Sequence, residues 1–145
     1  MAPQPFNKFN SFSEALAEQV HNLGSDVLKV MLTNTAPTAA NTIKTNITDI
    51  TANADYTAGG KQAPMTTSAQ SGGIYKLVLG DVTWGPATVA WTASPFRYAV
   101  LYNDTATNKE LIGWWDNLTT VTLGVGESFT TDFDPTNGVL TITPV

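Results

Sequence analysis

The chain has 145 residues, a formal net charge of −5, a single histidine and no cysteine. A length of this order makes one domain with a self-supporting hydrophobic core, and the missing thiols exclude disulfide frameworks, cysteine nucleophiles and cysteine-based metal sites. Charged residues are only 13% of the chain, against ~25% in ordinary domains, and polarity comes instead from twenty-three threonines and eleven asparagines. β-Branched threonine suits a pleated, half-exposed surface, so the composition predicts an all-β architecture with neutral outer faces. Seven dispersed Lys and Arg residues on an acidic chain form no basic stripe, and we expect no nucleic-acid partner. No apolar run approaches the ~18–20 residues of a membrane span, so no membrane partner is expected either. The first residues lack the basic and then apolar pattern of a signal peptide, which predicts that export by that route is not encoded.

Residues 1–11 carry Pro3, Pro5, Phe6 and Phe9 without periodicity and read as an extended N-terminal arm, leaving 12–145 as one domain. Ser11 and Glu14 form a capping-box pattern, Phe12, Leu16 and Val20 recur at i, i+4 and i+8, and Gly24 stands where a left-handed C-terminal residue belongs. That spacing predicts one helix over 12–23. From Val27 the period changes to alternation, with Leu28, Val30 and Leu32 on one face, which predicts a strand over 27–33. The Thr-, Asn- and Ala-rich stretch 34–73 has few large apolar residues, Ile43, Ile47, Ile50 and Tyr56 among them, and reads as a long loop. Such loops often serve as surface or interface elements. After Gly73 the pattern predicts short strands at 74–79, 81–84, 87–92, 97–103, 110–116, 119–123, 127–133 and 138–143, with Asn103-Asp104, Gly124-Val125-Gly126 and Asp134 to Gly138 as turns. The sum is an all-β, jelly-roll-like sandwich with an extended arm and one α-helix.

Too many faces of these strands are apolar. Alternation sends Leu111 and Trp115 to one face and Ile112 and Trp114 to the other, and Tyr98, Val100 and Tyr102 oppose Ala99 and Leu101. A two-layer sandwich covers one face of each sheet, so the helix, the long loop or another chain must cover the rest. The interface candidates are accordingly Phe6, Phe9, Tyr56, Tyr98, Tyr102, Trp114 and Trp115, with a two-fold self-contact expected on the sheet that carries Trp114 or Trp115. Four tryptophans with Asp81, Asp116 and Asn117 as polar partners would also suit a sugar-stacking platform.

Catalytic patterns are missing. No G-x-S-x-G or Walker sequence occurs, and Glu127 with Asp116 would make a glycosidase pair only at a suitable separation. Asp132, Asp134, Asn137 and Gly138 fail the EF-hand spacing and read as a hairpin turn. His21 adjoins the helix stripe without extending it, which predicts a partly exposed structural residue. The sequons at Asn46, Asn103 and Asn117 are expected by chance in a Thr-rich chain and to be unused. We therefore expect no enzymatic activity, no cofactor and no bound metal.

Several runs nevertheless look familiar: Phe6-Asn7-Lys8-Phe9, His21 to Asp26 leading into Leu28 to Pro37, Tyr56 to Gly60, Phe96 to Thr105, Leu111 to Asp116, and Asp132-Phe133-Asp134. Together they resemble a family of small structural proteins of tailed bacteriophage virions, and within it the cement, or decoration, proteins of the capsid, some of which are small jelly rolls. The resemblance covers nearly the whole chain and is one of packing and turns. It implies a non-enzymatic protein assembled in the host cytoplasm and placed on the outer surface of the head, with the major capsid protein and a second copy of itself as partners. The alternative is a tail-fibre or receptor-binding module that recognises carbohydrate.

Overall fold

A computed structural model describes residues 4–145. Among them the chain forms β1 (Asn7–Lys8), α1 (Phe12–Ala17), β2 (Leu28–Thr33), a 3-10 turn (Lys44–Asn46), β3 (Lys61–Gln62), β4 (Met65–Ser71), β5 (Ile74–Leu79), β6 (Val82–Trp84), β7 (Phe96–Asn103), β8 (Leu111–Val121), β9 (Phe129–Thr131) and β10 (Leu140–Ile142). All pairings between strands are antiparallel, in a five-stranded sheet ordered β1-β8-β7-β2-β3, a three-stranded sheet β10-β5-β4 and a pair β6-β9. The all-β sandwich read from the composition is the fold observed.

The alternation of β2 decides where the core lies. Leu28, Val30 and Leu32 join Ala99, Leu101, Ile112 and Trp115 on the inner face of the five-stranded sheet. Leu77 and Leu79 meet them from the three-stranded sheet, and Val82, Trp84 and Phe129 from the β6-β9 pair. Rings interlock through this core, with Phe96 edge-on to Phe129 at 4.7 Å and to Trp91 at 5.9 Å.

Several expected elements are corrected. The helix ends at Ala17 rather than at residue 23, because Gln19 takes a left-handed conformation at φ 63° and the Val20 and His21 amides both return to the Ala15 carbonyl. The sharp exit inserts His21 and Leu23 into the interior, where they are 4% and 5% exposed; His21 is therefore buried and not a partly exposed residue. Ser11 makes no side-chain cap, so the expected capping box does not form. Six helical residues are too few to persist alone, and burial of Phe12 and Ala15 holds them.

Residues 34–73 are not one loop, since they contain the 3-10 turn, β3 and β4. The expected strand at 87–92 is a loop: Asp55 accepts from the backbone N–H groups of Thr88 and Val89 at 2.8 and 3.3 Å, diverting both from any ladder. Trp91 is buried there while Val89 is exposed. The expected strands 110–116 and 119–123 are one, β8, which runs through a left-handed Leu118.

Candidate interaction surfaces

The second face of the five-stranded sheet, for which the sequence offered the helix, the long loop or another chain as cover, is closed by the chain itself. β8 carries a register shift where Leu101 faces Gly113 and Tyr102 faces Leu111. The extra residue reverses the alternation, so Leu111 shares a face with Trp114, and Ile112 with Trp115, contrary to simple period-two reading. Met31, Val100, Tyr102, Leu111 and half-buried Trp114 then form a second apolar cluster, sealed by Phe9 from the arm and Ile47 from the long connection.

The arm is thus a fold element over its described residues; residues 1–3 of the expected arm lie outside them. β1 pairs Asn7 with Trp114 and Lys8 with Gly113. Phe9 is fully buried with its ring centroid 4.6 Å from that of Trp114. Phe6 lies over Gly113 on the other face, where a Cβ on that glycine would stand 2.2 Å from the Phe6 ring, and packs at 5.2 Å on Trp115.

The long connection is tied down as firmly. Tyr56 donates its hydroxyl proton to Asp49 at 2.5 Å and accepts from the Leu32 N–H at 3.0 Å, while Asp49 also accepts from the Gly59 N–H at 2.6 Å. Tyr102 donates to the Gly59 carbonyl at 2.8 Å. Burial, and then the bond to Asp49, pushes the Tyr56 hydroxyl pKa far above its ordinary value. The next glycine, Gly60, has φ +74° and lies against β2 so closely that a Cβ would stand 1.8 Å from the Val30 carbonyl oxygen.

Of the seven aromatic candidates, Phe9, Tyr56, Tyr102 and Trp115 are therefore committed to the interior. Phe6, Tyr98 and Trp114 remain half-buried. Tyr98 lies under the Arg97 guanidinium, which is 5.3 Å from its ring centre and donates twice to Asp116 at 2.8 and 2.9 Å. Those bonds hold the Asp116 carboxyl below the ordinary carboxylate range. Trp84, Trp91 and Trp115 are 0%, 1% and 6% exposed, so of the four tryptophans Trp114 alone keeps partial exposure.

Two features escaped the sequence. The first is a polar knot around His21. Asn103 accepts from the Thr105 and Ala106 amides through its side-chain oxygen, which orients its NH₂ toward Asp26 at 2.6 Å and His21 Nδ1 at 3.2 Å. His21 Nδ1 must then accept, and the ring proton sits on Nε2, which has no hydrogen-bond partner among the described residues. Burial lowers the His21 pKa, opposed by Glu110 and Asp26. A groove of about 530 Å³ opens beside it between Leu16, Leu23, Tyr75 and Ile142.

The second is the hairpin β4-β5. Its turn, Gly72-Gly73, has φ of 60° and 82° and joins Ser71 to Ile74, the geometry of a two-residue type I′ connection. Six of the seven β4 residues are exposed, and β4 is an edge strand. Gly-Gly between β-prone residues was the available signal, but β4 itself has no buried face to give an alternation.

No family model matches the chain, and neither a curated protein nor a solved structure matches it significantly. Among the described residues, no group of three or more His, Asp or Glu side chains could hold a metal ion, and no helix is long and apolar enough to cross a membrane.

Proposed function

We propose that the chain is a non-enzymatic structural protein of a tailed-phage virion, a cement that binds the outside of the head and bridges neighbouring major capsid subunits. The observation that carries this reading is the surface: a sandwich that covers its own apolar faces presents an outer layer of threonine, asparagine and backbone with few charges. Such a surface makes many modest contacts, and repetition by the symmetry of a shell turns weak individual contacts into strong collective attachment. The resemblance of the sequence runs to virion proteins supports it further. A cement binds the assembled shell and not its unfolded subunits, so its occupancy stabilises the shell by linkage.

Particles lacking the protein should release DNA at lower temperature, or under milder osmotic shock, than complete particles, and added protein should restore the difference. Depleted heads as robust as complete ones, with loss of host adsorption, would replace this reading by the receptor-binding one.

A further inference from the structure

We propose that β4 pairs antiparallel with β4 of a second copy of this chain, about a two-fold axis at Ala69, joining two three-stranded sheets into one of six strands. The inference does not rest on the cement reading.

It starts from how the other edges are managed. Long, flat, uncharged edge strands template pairing with another chain, and proteins normally shorten, charge or kink them. Here β1 and β3 are two residues long and carry Lys8 and Lys61, while β6, β9 and β10 have three residues each. β8 extends beyond β1, but that stretch bears Asp116 and the left-handed Leu118. β4 alone has seven residues, Met65–Ser71, with no charge and no proline. Its one irregularity falls between Met65 and Thr67, leaving Thr67 to Ser71 in regular register with β5.

Pairing geometry then selects a register. A two-residue turn makes Ser71 and Ile74 a hydrogen-bonded pair, and hydrogen-bonded and non-bonded pairs alternate from there. Ser68 and Gln70, opposite Leu77 and Tyr75, are non-bonded positions, so their backbone N–H and C=O groups point away from β5. Among the described residues, no other backbone or side-chain partner takes these amides. The two outward residues flank Ala69, which is the midpoint of the regular stretch. Rotation about Ala69 sets Ser68 against Gln70 of the second copy and Gln70 against its Ser68, giving four backbone hydrogen bonds from the groups now unpaired.

The side chains agree with a second copy as occupant. Ala69 meets its own equivalent across the axis, where the closest approach of a non-bonded pair suits a small residue. Thr67 meets Ser71, and Ser68 meets Gln70, so every cross-strand pair is neutral and polar or small. The nearest charge on the hairpin is Lys76, opposite Ala69 on β5. The two Lys76 side chains are three strand spacings apart, about 14 Å, beyond the screening length in physiological salt. Self-pairing therefore meets no local like-charge penalty.

The test uses purified full-length protein. Wild type should sediment at twice its 15.5 kDa chain mass at high concentration. Ala69→Lys, at an exposed position, should sediment as monomer with unchanged circular dichroism. Because the chain has no cysteine, Ala69→Cys provides a single thiol on the axis, and a non-bonded cross-strand pair lies within disulfide reach. Copper–phenanthroline should convert it to covalent dimer at least ten-fold faster than Thr141→Cys on β10. Wild type remaining monomeric at about millimolar concentration would overturn the proposal. So would a dimer that survives Ala69→Lys, or equal cross-linking of the two cysteine variants.

Discussion

Phe9→Ala separates an arm that reaches for a neighbour from one that belongs to its own domain. Phe9 is fully buried in the second apolar cluster, in ring contact with Trp114 at 4.6 Å, and its amide donates to the Ile112 carbonyl. Truncating a buried Phe to Ala costs ~3–5 kcal/mol through lost transfer energy and the cavity left behind. The arm is held by the two β1 residues, the Phe9 amide and Phe6 on Trp115, and loss of its fully buried ring should loosen Lys8 and Asn7 from β8. Taking ~4 kcal/mol and ~2–4 °C per kcal/mol for a chain of this size, the melting temperature should fall by about 8–16 °C. Thermal unfolding of the purified protein followed by circular dichroism measures this, with Lys8→Ala on the exposed side of the same strand as the control, expected within ~0.5 kcal/mol of wild type. A change of under about 3 °C for Phe9→Ala would show that the arm is not part of the folded unit, and the second face of the sheet would again need a partner chain.

Tyr56→Phe should destabilise by ~1–3 kcal/mol, because it leaves the buried Leu32 N–H without its acceptor and Asp49 without a donor; denaturant titration at constant m checks it, and a neutral result would refute the role of that hydroxyl. The His21 knot predicts a pH dependence with a definite sign. The folded pKa lies below the ordinary 6.5, so the unfolded chain binds the proton more tightly and stability falls as pH drops below about 6.5 toward the folded value. His21→Gln should flatten that slope below pH 6.5 in unfolding experiments while leaving the separate loss below the carboxylate range, where Asp116 and Asp104 gain protons; an unchanged slope would count against the burial of the His21 ring.

The parts of the fold that were legible are strands with large apolar residues set between clear turn signals. β6 buries Val82 and Trp84 with Thr83 exposed between them, whereas β2 buries Leu28, Val30 and Leu32 on one face and Met31 on the other, and was bounded by its apolar run and not by a solvent face. Where neither face is buried, the period carries no information. β4 is exposed on nearly every residue, so a strand was read as loop, and only the Gly-Gly turn marked it. In β8 the sequence does alternate, but the bulge opposite Leu101 and Tyr102 shifts the phase, so the partition of Leu111, Ile112, Trp114 and Trp115 came out reversed. Gln19 offered no hint of its left-handed turn, since a residue other than glycine adopts it only under tertiary constraint.

The same logic moves the candidate site. Aromatic residues on too many faces pointed to a missing cover, and Met31, Val100, Tyr102, Leu111 and Trp114 do need one. What could not be read was that Phe9 and Ile47, distant in sequence, arrive to supply it. With that apolar face closed internally, outward backbone groups on β4 remain without a partner among the described residues. Hydrophobic cover and hydrogen-bond satisfaction are separate requirements, and a chain that meets the first with its own arm still leaves the outward amides of Ser68 and Gln70 to water or to another strand. A contact made through them would draw its hydrogen bonds from the backbone and still require small, neutral side chains across the axis, which is why one lysine at Ala69 is enough to test it.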